Sequence, residues 1–410
     1  EEKWYDYWQD NNVFSPNDDT DTYTIMIPPP NVTGILHLGH VLNNTIQDIL
    51  IRKAKMEGKN TLWVPGTDHA SIATEAKVTA MLKKQGVDKK KIGRDKFLDH
   101  SWDWTDKYGG IIIKQLKRLG CSCDWDRQRF TMDDDYYKSV VKTFVKLYND
   151  GLIYKGLRMV NWDPKGLTAL SDEEVIHKEE QGKLWHIKYK LKDSQEYLIV
   201  ATTRPETMLG DTGVAVNPKD KRYTKLIGKK IVLPIVNKEI PIFSDDYVDK
   251  DFGTGCVKVT PAHDPNDFQM ANRNDLEIIN IMNDNGTMNE NVPDKYRDLD
   301  RFKAREAVVS ELEKMNLIEK IEDYTHNVGY SERTDVVVEP RLSNQWFLKM
   351  EDLAKPALKV VHNQQIKFYP NRWTKIYNHW LNNITDWCIS RQLWWGHRIP
   401  VWYREDEIYC

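Results

Sequence analysis

The sequence predicts an α/β protein that carries a separate, mostly β domain. Near the N-terminus, an apolar run at 23–27 alternates with threonine and ends at three prolines. After a short turn, apolar residues return at helical spacing from Leu36, so a strand that we expect to be buried leads into a helix. A second strand is expected at 61–64. From about Lys183 to Arg333 the apolar period becomes alternating, which is typical of a β domain.

Bulk properties exclude several classes of protein. A chain of 410 residues can form two or three domains, and 30% charged with 40% hydrophobic residues is usual for a globular protein. The apolar runs are far shorter than a membrane span, and the N-terminus has no signal-peptide pattern. Five irregularly spaced cysteines favour reduced thiols and a cytoplasmic location over a disulfide framework. A net charge of −3 neither indicates nor excludes a nucleic-acid partner.

The strand–helix junction carries the first candidate site. His37 and His40 stand three residues apart on the first helical turn, so both imidazoles can donate to one anionic group. Gly39 between them leaves room for a flat ring, and a helix N-terminus favours phosphate. A chance pair of histidines remains an alternative. A metal site is the weaker interpretation because no third ligand stands at a fixed spacing, and we predict no tightly bound metal.

Asp68 is the second candidate. It follows the strand at 61–64, so it lies at the same edge of the predicted sheet as His37. A carboxylate there can bind the α-ammonium group of an amino acid. From the residue type alone, a helix cap is the simpler interpretation.

Five long segments, in this order, resemble the signatures of class I aminoacyl-tRNA synthetases, and in particular of their valine-specific members. They are PPPNVTGILHLGH (28–40), WVPGTDHASIATEAKV (63–78), ATTRPETMLGDTGVAV (201–216), GTGCVKVTPAHDPNDF (253–268) and DWCISRQLWWGHRIP (386–400). The resemblance implies a doubly wound Rossmann-type catalytic domain, formed by residues 1–180 and 336–410. A β-rich editing domain at 181–335 interrupts it.

The resemblance also implies the reaction and its partners. Valine would be activated by ATP to valyl-adenylate and transferred to tRNA(Val), with Mg²⁺ accompanying the ATP as substrate. We expect a monomer without membrane contact. The residues implied for ATP are His37, Gly39 and His40, the two histidines being catalytic, and those implied for the amino acid are Pro29, Asn31, Asp68, Trp346 and Trp395.

An editing site is expected on energetic grounds. Valine and threonine are nearly isosteric, and an apolar pocket separates them by only about 10², a figure established for the valine enzymes themselves rather than derived from this sequence. The resemblance implies that Asp267 binds the aminoacyl ammonium, Asp264 and Thr207 the threonine hydroxyl, and Lys258 and Arg204 phosphate or the terminal adenosine; Thr202 completes the set. An Asx-rich turn is the alternative for residues 263–267. No Ser–His–Asp or Cys–His arrangement is evident, so we expect a positioned water to attack.

Three other functions are considered. A synthetase for isoleucine or leucine is disfavoured by Thr67-Asp68-His69 and by Lys258. A deacylase acting in trans, with a degenerate ligase body, would not need His37, His40, Asp68 and Trp395. A non-catalytic RNA-binding scaffold is disfavoured by the two complete sets of pocket residues. The lysine-rich KMSKS loop and the anticodon-binding domain of the family have no counterpart in these 410 residues, so we expect a fragment that activates valine poorly by itself.

Overall fold

The computed structural model describes residues 2–17, 21–405 and 407–410 of a mixed α/β chain. It divides into two compact units, the first formed by residues 1–152 and 393–410 and the second by residues 153–392. Among the described helices, none combines the length and the apolar character that are needed to cross a membrane.

The first unit contains helices and short strands. In chain order they are α1 (Glu2–Asp10), β1 (Thr22–Met26), α2 (Leu38–Met56), β2 (Asn60–Val64), β3 (Gly66–Thr67), α3 (Ser71–Lys84), α4 (Lys89–Arg118), β4 (Arg129–Phe130) and α5 (Asp134–Asn149). The strands β16 (Trp402–Arg404) and β17 (Glu407–Tyr409), numbered after those of the second unit, pair with each other. Gly93 interrupts α4, because its φ of 80° lies outside the helical region.

The strands of the first unit pair in parallel. β1 lies beside β2 with Tyr23 opposite Thr61, and β3 lies beside β4. The predicted strand, proline turn and helix are therefore confirmed, as is the second strand. The expected burial of the first strand is wrong: alternate residues of β1 are exposed, and Met26 is 70% exposed. Within the described residues β1 pairs with β2 alone, so its other edge has no neighbouring strand.

The helix α2 has the predicted apolar spacing, but much of its apolar face is exposed. Leu38 and Leu42 are the clearest cases, and the buried positions are Asn44, Ile51 and Ala54. Ile51 joins the main core of this unit, whose buried members are Ile27, Val32, Ile51, Trp63, Ile112, Leu116, Cys121 and Cys123. This core packs beneath the strand–helix junction and holds it in place.

The second unit is rich in strands. Its elements are β5 (Ile153–Asp163), β6 (Thr168–Leu170), β7 (Val175–Leu191), β8 (Tyr197–Thr202), β9 (Gly213–Val216), β10 (Lys230–Val232), β11 (Glu239–Ser244), β12 (Cys256–Val259), α6 (Pro265–Asn274), α7 (Arg301–Lys314), β13 (Ile318–Ser331), β14 (Glu339–Leu348), α8 (Glu351–His362), α9 (Trp373–Asn382) and β15 (Trp387–Cys388). The alternating pattern predicted from Lys183 corresponds to the second half of β7 and to the strands that follow. The predicted domain bounds at 180/181 and 335/336 stay a prediction.

Two sheets organise this unit. The larger has the order β12-β9-β11-β10-β7-β13, with β8 also paired to β7, and its neighbours are antiparallel except for β9 and β11. The smaller is antiparallel, in the order β15-β14-β5-β6. The main core includes Ile187, Tyr189, Val200, Val214 and Ile242, which alternate inward along their strands. The polar side chains of the second candidate site lie on β8, β12 and the segments that follow these two strands, including the start of α6.

Candidate functional sites

His37 and His40 meet at the N-terminus of α2. His37 is the N-cap residue, and its Nδ1 accepts the amide N–H of Gly39 at 3.1 Å. His40 Nδ1 accepts the amide N–H of His37 at 3.2 Å, and the ring centroids are 4.0 Å apart. An Nδ1 that accepts a hydrogen bond carries no proton, so each neutral ring carries its proton on Nε2. The junction therefore offers two imidazole N–H donors at the start of α2, where the His37 side chain already accepts the amides of Gly39 and His40.

Burial and the neighbouring His37 lower the pKa of His40, which favours the neutral ring. Gly39 is needed for a geometric reason. A Cβ at this position would lie 3.0 Å from His37 Cε1, so any side chain would displace the ring. The two rings are thus held against each other at the start of α2, each through a hydrogen bond to a backbone amide.

Asp68 lies against the proline turn. Its amide donates to the Pro30 carbonyl at 2.9 Å, and its carbonyl accepts the Val32 amide at 3.0 Å, which forms a parallel bridge with Asn31. The predicted residues Asn31 and Asp68 are therefore neighbours, and Pro29 is exposed in the same turn. The N-cap residue of α3 is Ala70, so Asp68 is not the cap of that helix.

The Asp68 carboxylate is held in place. Its Oδ1 accepts the Ala70 amide at 3.1 Å and the Thr131 hydroxyl at 3.0 Å, and His69 Nδ1 lies 3.2 Å away. Burial by itself would raise the pKa of Asp68, but these hydrogen-bond donors outweigh it and lower the pKa. The site keeps a carboxylate ionised at the edge where an ammonium group can approach.

Trp395 belongs to the last segment of the first unit and is almost fully buried. Its indole N–H donates to the His69 carbonyl at 2.8 Å, and its ring packs edge-on against Trp102 at 5.0 Å. Trp346 lies in β14 of the second unit, where it is also buried and its amide donates to Ser390 Oγ at 2.8 Å. The proposed contacts of both tryptophans with an amino acid stay predictions.

The second unit contains a cavity of about 320 Å³. All six predicted editing residues line it, and the structure brings them together from the end of β8, the turn at 205–210, β12 and the start of α6: Thr202, Arg204, Thr207, Lys258, Asp264 and Asp267. Phe252, Tyr324 and His326 form an aromatic part of the wall. The two segments that the sequence analysis singled out thus form one site.

Lys258 is the centre of a buried hydrogen-bond network. Its Nζ donates to Thr207 Oγ1 at 2.7 Å, Thr260 Oγ1 at 2.6 Å and Asp211 Oδ1 at 3.2 Å. Its side chain is 8% exposed, and the Asp211 side chain is fully buried. A charged ammonium is stable at this depth because a carboxylate and two hydroxyls replace its water.

Asp264 and Asp267 have different environments. Asp264 is the N-cap of α6, and its Oδ1 accepts the amides of Asn266 and Asp267 at 2.8 and 3.1 Å. The Asx-turn alternative is therefore correct for the backbone of this segment. Asp267 is buried, and burial together with the nearby Asp264 raises its pKa to about 7. The carboxyl group of Asp267 therefore changes charge near neutral pH, which suits a group that binds a cationic ligand.

Arg204 is bound by protein carboxylates. It contacts Glu206 at 3.3 Å and pairs with Glu339, and it donates to the His263 carbonyl at 3.2 Å. Most of its positive charge is therefore compensated within the unit. Its predicted contact with phosphate or adenosine stays a prediction.

His263 cannot act as a base through Nε2, because that atom accepts the Ile281 amide at 3.0 Å. Burial and the charges of Arg204 and Lys258 lower the pKa of His263 to about 3. The ring is thus neutral and structural at physiological pH. Within the described parts of the chain, no group of three or more His, Cys, Asp or Glu side chains is arranged to hold a metal ion.

Comparison with known proteins places this geometry in a family. A family model described as tRNA synthetases class I (I, L, M and V) matches residues 3–410. The chain belongs to the class I tRNA synthetases. Among curated relatives, a valine–tRNA ligase of Bacteroides fragilis is 60% identical over 410 residues, which are 100% of this chain and 47% of that protein.

Other relatives of this class I synthetase chain agree. A valine–tRNA ligase of Christiangramia forsetii is 57% identical over 404 residues, covering 98% of this chain and 46% of the relative. The chain thus spans about half the length of the curated relatives it matches. A solved Agrobacterium radiobacter LeuRS–tRNA–LeuAMS complex is more distant, at 18% identity with a TM-score of 0.41, and covers 98% of this chain and 50% of that one.

Several residues of the class I synthetase chain that support these sites were not predicted. They are Thr131 and His69 beside Asp68, Glu75 beneath Trp395, and Asp211, Thr260 and Tyr189 behind Lys258. One signal was present in the sequence. Asp211 and Lys258 are single charges in otherwise apolar or small-residue segments, MLGDTGVAV and CVKV, and two such charges of opposite sign indicate a buried pair.

Proposed function

We propose that this chain is the amino-acid-activating and editing part of a valine–tRNA ligase. It would use ATP, with Mg²⁺ as part of the substrate, to form valyl-adenylate, and it would pass the valyl group to tRNA(Val). It would also hydrolyse threonyl-tRNA formed in error. The high identity with valine–tRNA ligases over the whole chain supports this assignment.

The proposed architecture is a doubly wound catalytic domain, residues 1–180 and 336–410, with an editing insertion at 181–335. Two observations support the catalytic part. The pairs β1–β2 and β3–β4 are parallel, and β1, β3 and β4 are each followed by a helix. The mainly antiparallel sheet of the second unit supports a separate insertion. A monomeric state and a cytoplasmic location remain predictions.

In the proposed synthetic site the chain positions groups and stabilises charge. The valine carboxylate attacks the α-phosphorus of ATP, the bond from that phosphorus to the bridging oxygen breaks, and pyrophosphate leaves with the electron pair. The Nε2–H groups of His37 and His40 would donate to the α-phosphate oxygens or the ribose, where charge and contacts change during the reaction. Asp68 would bind the valine ammonium, and Pro29, Asn31 and Trp395 would surround the amino acid, while the contact predicted for Trp346 stays a prediction.

In the proposed editing site a positioned water attacks the ester carbon of threonyl-tRNA. The carbon–oxygen bond to the terminal ribose breaks, the ribose oxygen takes the electron pair and a proton that comes from the attacking water, and threonine is released with a free carboxyl group. Asp267 would bind the ammonium group, Asp264 and Thr207 the side-chain hydroxyl, and Lys258 and Arg204 the terminal nucleotide, with Thr202 beside them. His263 cannot activate a protein nucleophile through Nε2, because the Ile281 amide already donates to that atom, so the proposed route uses water and has no covalent intermediate.

One observation carries this proposal: each unit holds a fixed carboxylate, Asp68 in the first and Asp267 in the second, beside groups that suit the rest of an aminoacyl ligand. Two amino-acid sites in one chain are what a double sieve requires, because one apolar pocket cannot reject threonine sufficiently.

The test uses calorimetric titration of the 410-residue chain with two ligands. One is a non-hydrolysable valyl-adenylate analogue, with isoleucyl and threonyl versions for comparison, and the other is an amide-linked 3′-threonylamino-adenosine. We expect Asp68→Asn to abolish binding of the first ligand and spare the second. Asp267→Asn should do the reverse. Loss of both ligands in both variants, or equal binding of valyl and isoleucyl analogues, would contradict two separate sites with valine specificity.

A further inference from the structure

A carboxylate lies behind the cavity of the second unit without lining it. Asp211 follows the turn at 205–210 and is fully buried. Its Oδ1 accepts the Thr260 hydroxyl at 2.6 Å and the Lys258 ammonium at 3.2 Å, and its Oδ2 accepts the Tyr189 hydroxyl at 2.7 Å. Asp211 therefore contacts two lining residues from the protein interior.

The protons of the two threonines can be assigned from these contacts. A hydroxyl has one proton and two lone pairs. Thr260 gives its proton to Asp211 and accepts from Lys258, and Thr207 gives its proton to the Arg204 carbonyl at 3.0 Å and also accepts from Lys258. Each oxygen keeps one lone pair, and both threonines line the cavity, so neither hydroxyl has a proton left to donate to a ligand there.

This arrangement depends on the buried charge. An ammonium at the depth of Lys258 needs a counter-ion, because an unpaired buried charge is strongly destabilising. Asp211 supplies that charge, and it is also the acceptor that turns the Thr260 hydroxyl inward. Without it, Thr260 is free to rotate and to donate into the cavity, and Lys258 is free to turn toward other anions there.

We propose that Asp211, held by Tyr189, is a positioning residue of the editing site that fixes Lys258 and orients the Thr260 hydroxyl so that its lone pair faces the ligand. The inference rests on the proposed editing function. Its consequence is chemical selectivity: the wall accepts a hydrogen bond from a hydroxyl on the ligand's β-carbon and has no partner for a methyl or hydrogen there. The site thereby selects threonyl over valyl or 2-aminobutyryl groups.

The test measures this selectivity in the 410-residue chain. Calorimetry gives the ratio of dissociation constants of 3′-(2-aminobutyrylamino)-adenosine and 3′-threonylamino-adenosine, ligands that differ in a hydroxyl and not in their ammonium or adenosine. In Asp211→Asn, which keeps the volume, the counter-ion of Lys258 is lost and the amide can donate as well as accept, so Thr260 is no longer held as a donor. We expect the ratio to fall by up to about ten-fold, as for one neutral hydrogen bond. Tyr189→Phe keeps the ion pair and should lower the ratio by about three-fold.

A matched control separates positioning from general destabilisation. Asp245 is a carboxylate of the same unit whose side chain is 8% exposed and which binds Arg273 at 2.9 Å away from the cavity lining. Asp245→Asn should leave the ratio unchanged even if the melting temperature falls. A weaker affinity for both ligands with an unchanged ratio in Asp211→Asn would overturn the proposal.

The remaining outcomes are also decisive. If the unmutated chain binds neither ligand, the editing function itself is wrong and the inference falls with it. If the unmutated chain prefers the threonyl ligand and both variants keep that preference, only the positioning role of Asp211 is wrong. Should Asp211→Asn fail to fold, Tyr189→Phe decides, and an unchanged ratio in that variant rejects the proposal.

Discussion

Glu75 and Trp395 lie 320 residues apart in the chain, yet Glu75 Oε2 accepts the Trp395 amide N–H at 2.9 Å. The same oxygen accepts the Trp394 amide at 2.7 Å, and the other carboxylate oxygen pairs with Lys89. Glu75 is buried in α3, a helix that begins beside Asp68. Its hydrogen bonds therefore attach residues 393–410, the second segment of the first unit, to that helix.

This relationship predicts the effect of removing the carboxylate. Glu75→Ala leaves two amides and the Lys89 ammonium without their partner, so we expect a loss of about 3 kcal/mol in the free energy of unfolding. Glu75→Gln keeps an acceptor for the amides and should cost about 1–2 kcal/mol. Urea unfolding followed by tryptophan fluorescence measures both. Glu57→Ala, which removes an exposed pair with Lys53, is the control and should leave the free energy of unfolding almost unchanged.

Gly396 in the same segment should not tolerate a side chain. Its φ is 142°, and an added Cβ would lie 2.9 Å from Ser71 Oγ. We expect Gly396→Ala to lower the melting temperature and to weaken binding of the valyl-adenylate analogue, because Trp395 must shift with it. Gly34→Ala is the matched control: an added Cβ there meets no atom within 4 Å, and φ is not positive. Equal melting temperatures for the two variants would contradict this prediction.

The histidine pair can be tested without disturbing the helix. In His37→Asn the new side chain can still accept the Gly39 amide, so the N-cap is kept while the Nε2–H donor is lost. We expect the affinity for ATP, measured by calorimetry, to fall about ten-fold with little change in melting temperature. His40→Ala should give a similar loss. An unchanged affinity in both variants would show that these rings do not contact the nucleotide.

The raised pKa of Asp267 predicts how the stability of the chain changes with pH. Its pKa is raised to about 7 by burial and by Asp264, so between about pH 4 and pH 7 the folded state binds more protons than the unfolded state. The contribution of Asp267 to stability is therefore largest at acidic pH and is lost as the pH rises through this window. Asp267→Asn should remove that part of the slope in a series of urea unfolding experiments.

The raised pKa of Asp267 also predicts that ligand binding releases protons. A bound ammonium stabilises the Asp267 carboxylate, so at pH 6 binding of 3′-threonylamino-adenosine should release part of a proton. Calorimetry in two buffers of different ionisation enthalpy measures this quantity. We expect no release at pH 6 in Asp267→Asn, where any residual binding has no carboxyl group to deprotonate. Release in that variant equal to the unmutated chain would assign the proton to another group.

The sequence by itself determined the order of elements at the strand–helix junction, the change to a strand-rich segment and the positions of His37, His40 and Asp68, whereas the predicted editing residues came from the resemblance. Local rules suffice there, because proline ends the ladder after β1, apolar spacing marks α2, and alternation marks the strands. The resemblance of five segments to one family added the substrate class. His37 and His40 needed no tertiary information to be placed on the same helical turn.

Only the tertiary structure decided how the charged groups are paired. Glu75 and Trp395, or Asp211 and Lys258, are distant in sequence, and no local pattern states which carboxylate meets which donor. The exposure of β1 and of the apolar face of α2 was likewise decided by what packs against them in the described residues. Periodicity specifies which side chains share a face. The burial of each side chain, its pKa and the direction of its hydrogen bonds depend on long-range contacts that the chain makes only when it is folded.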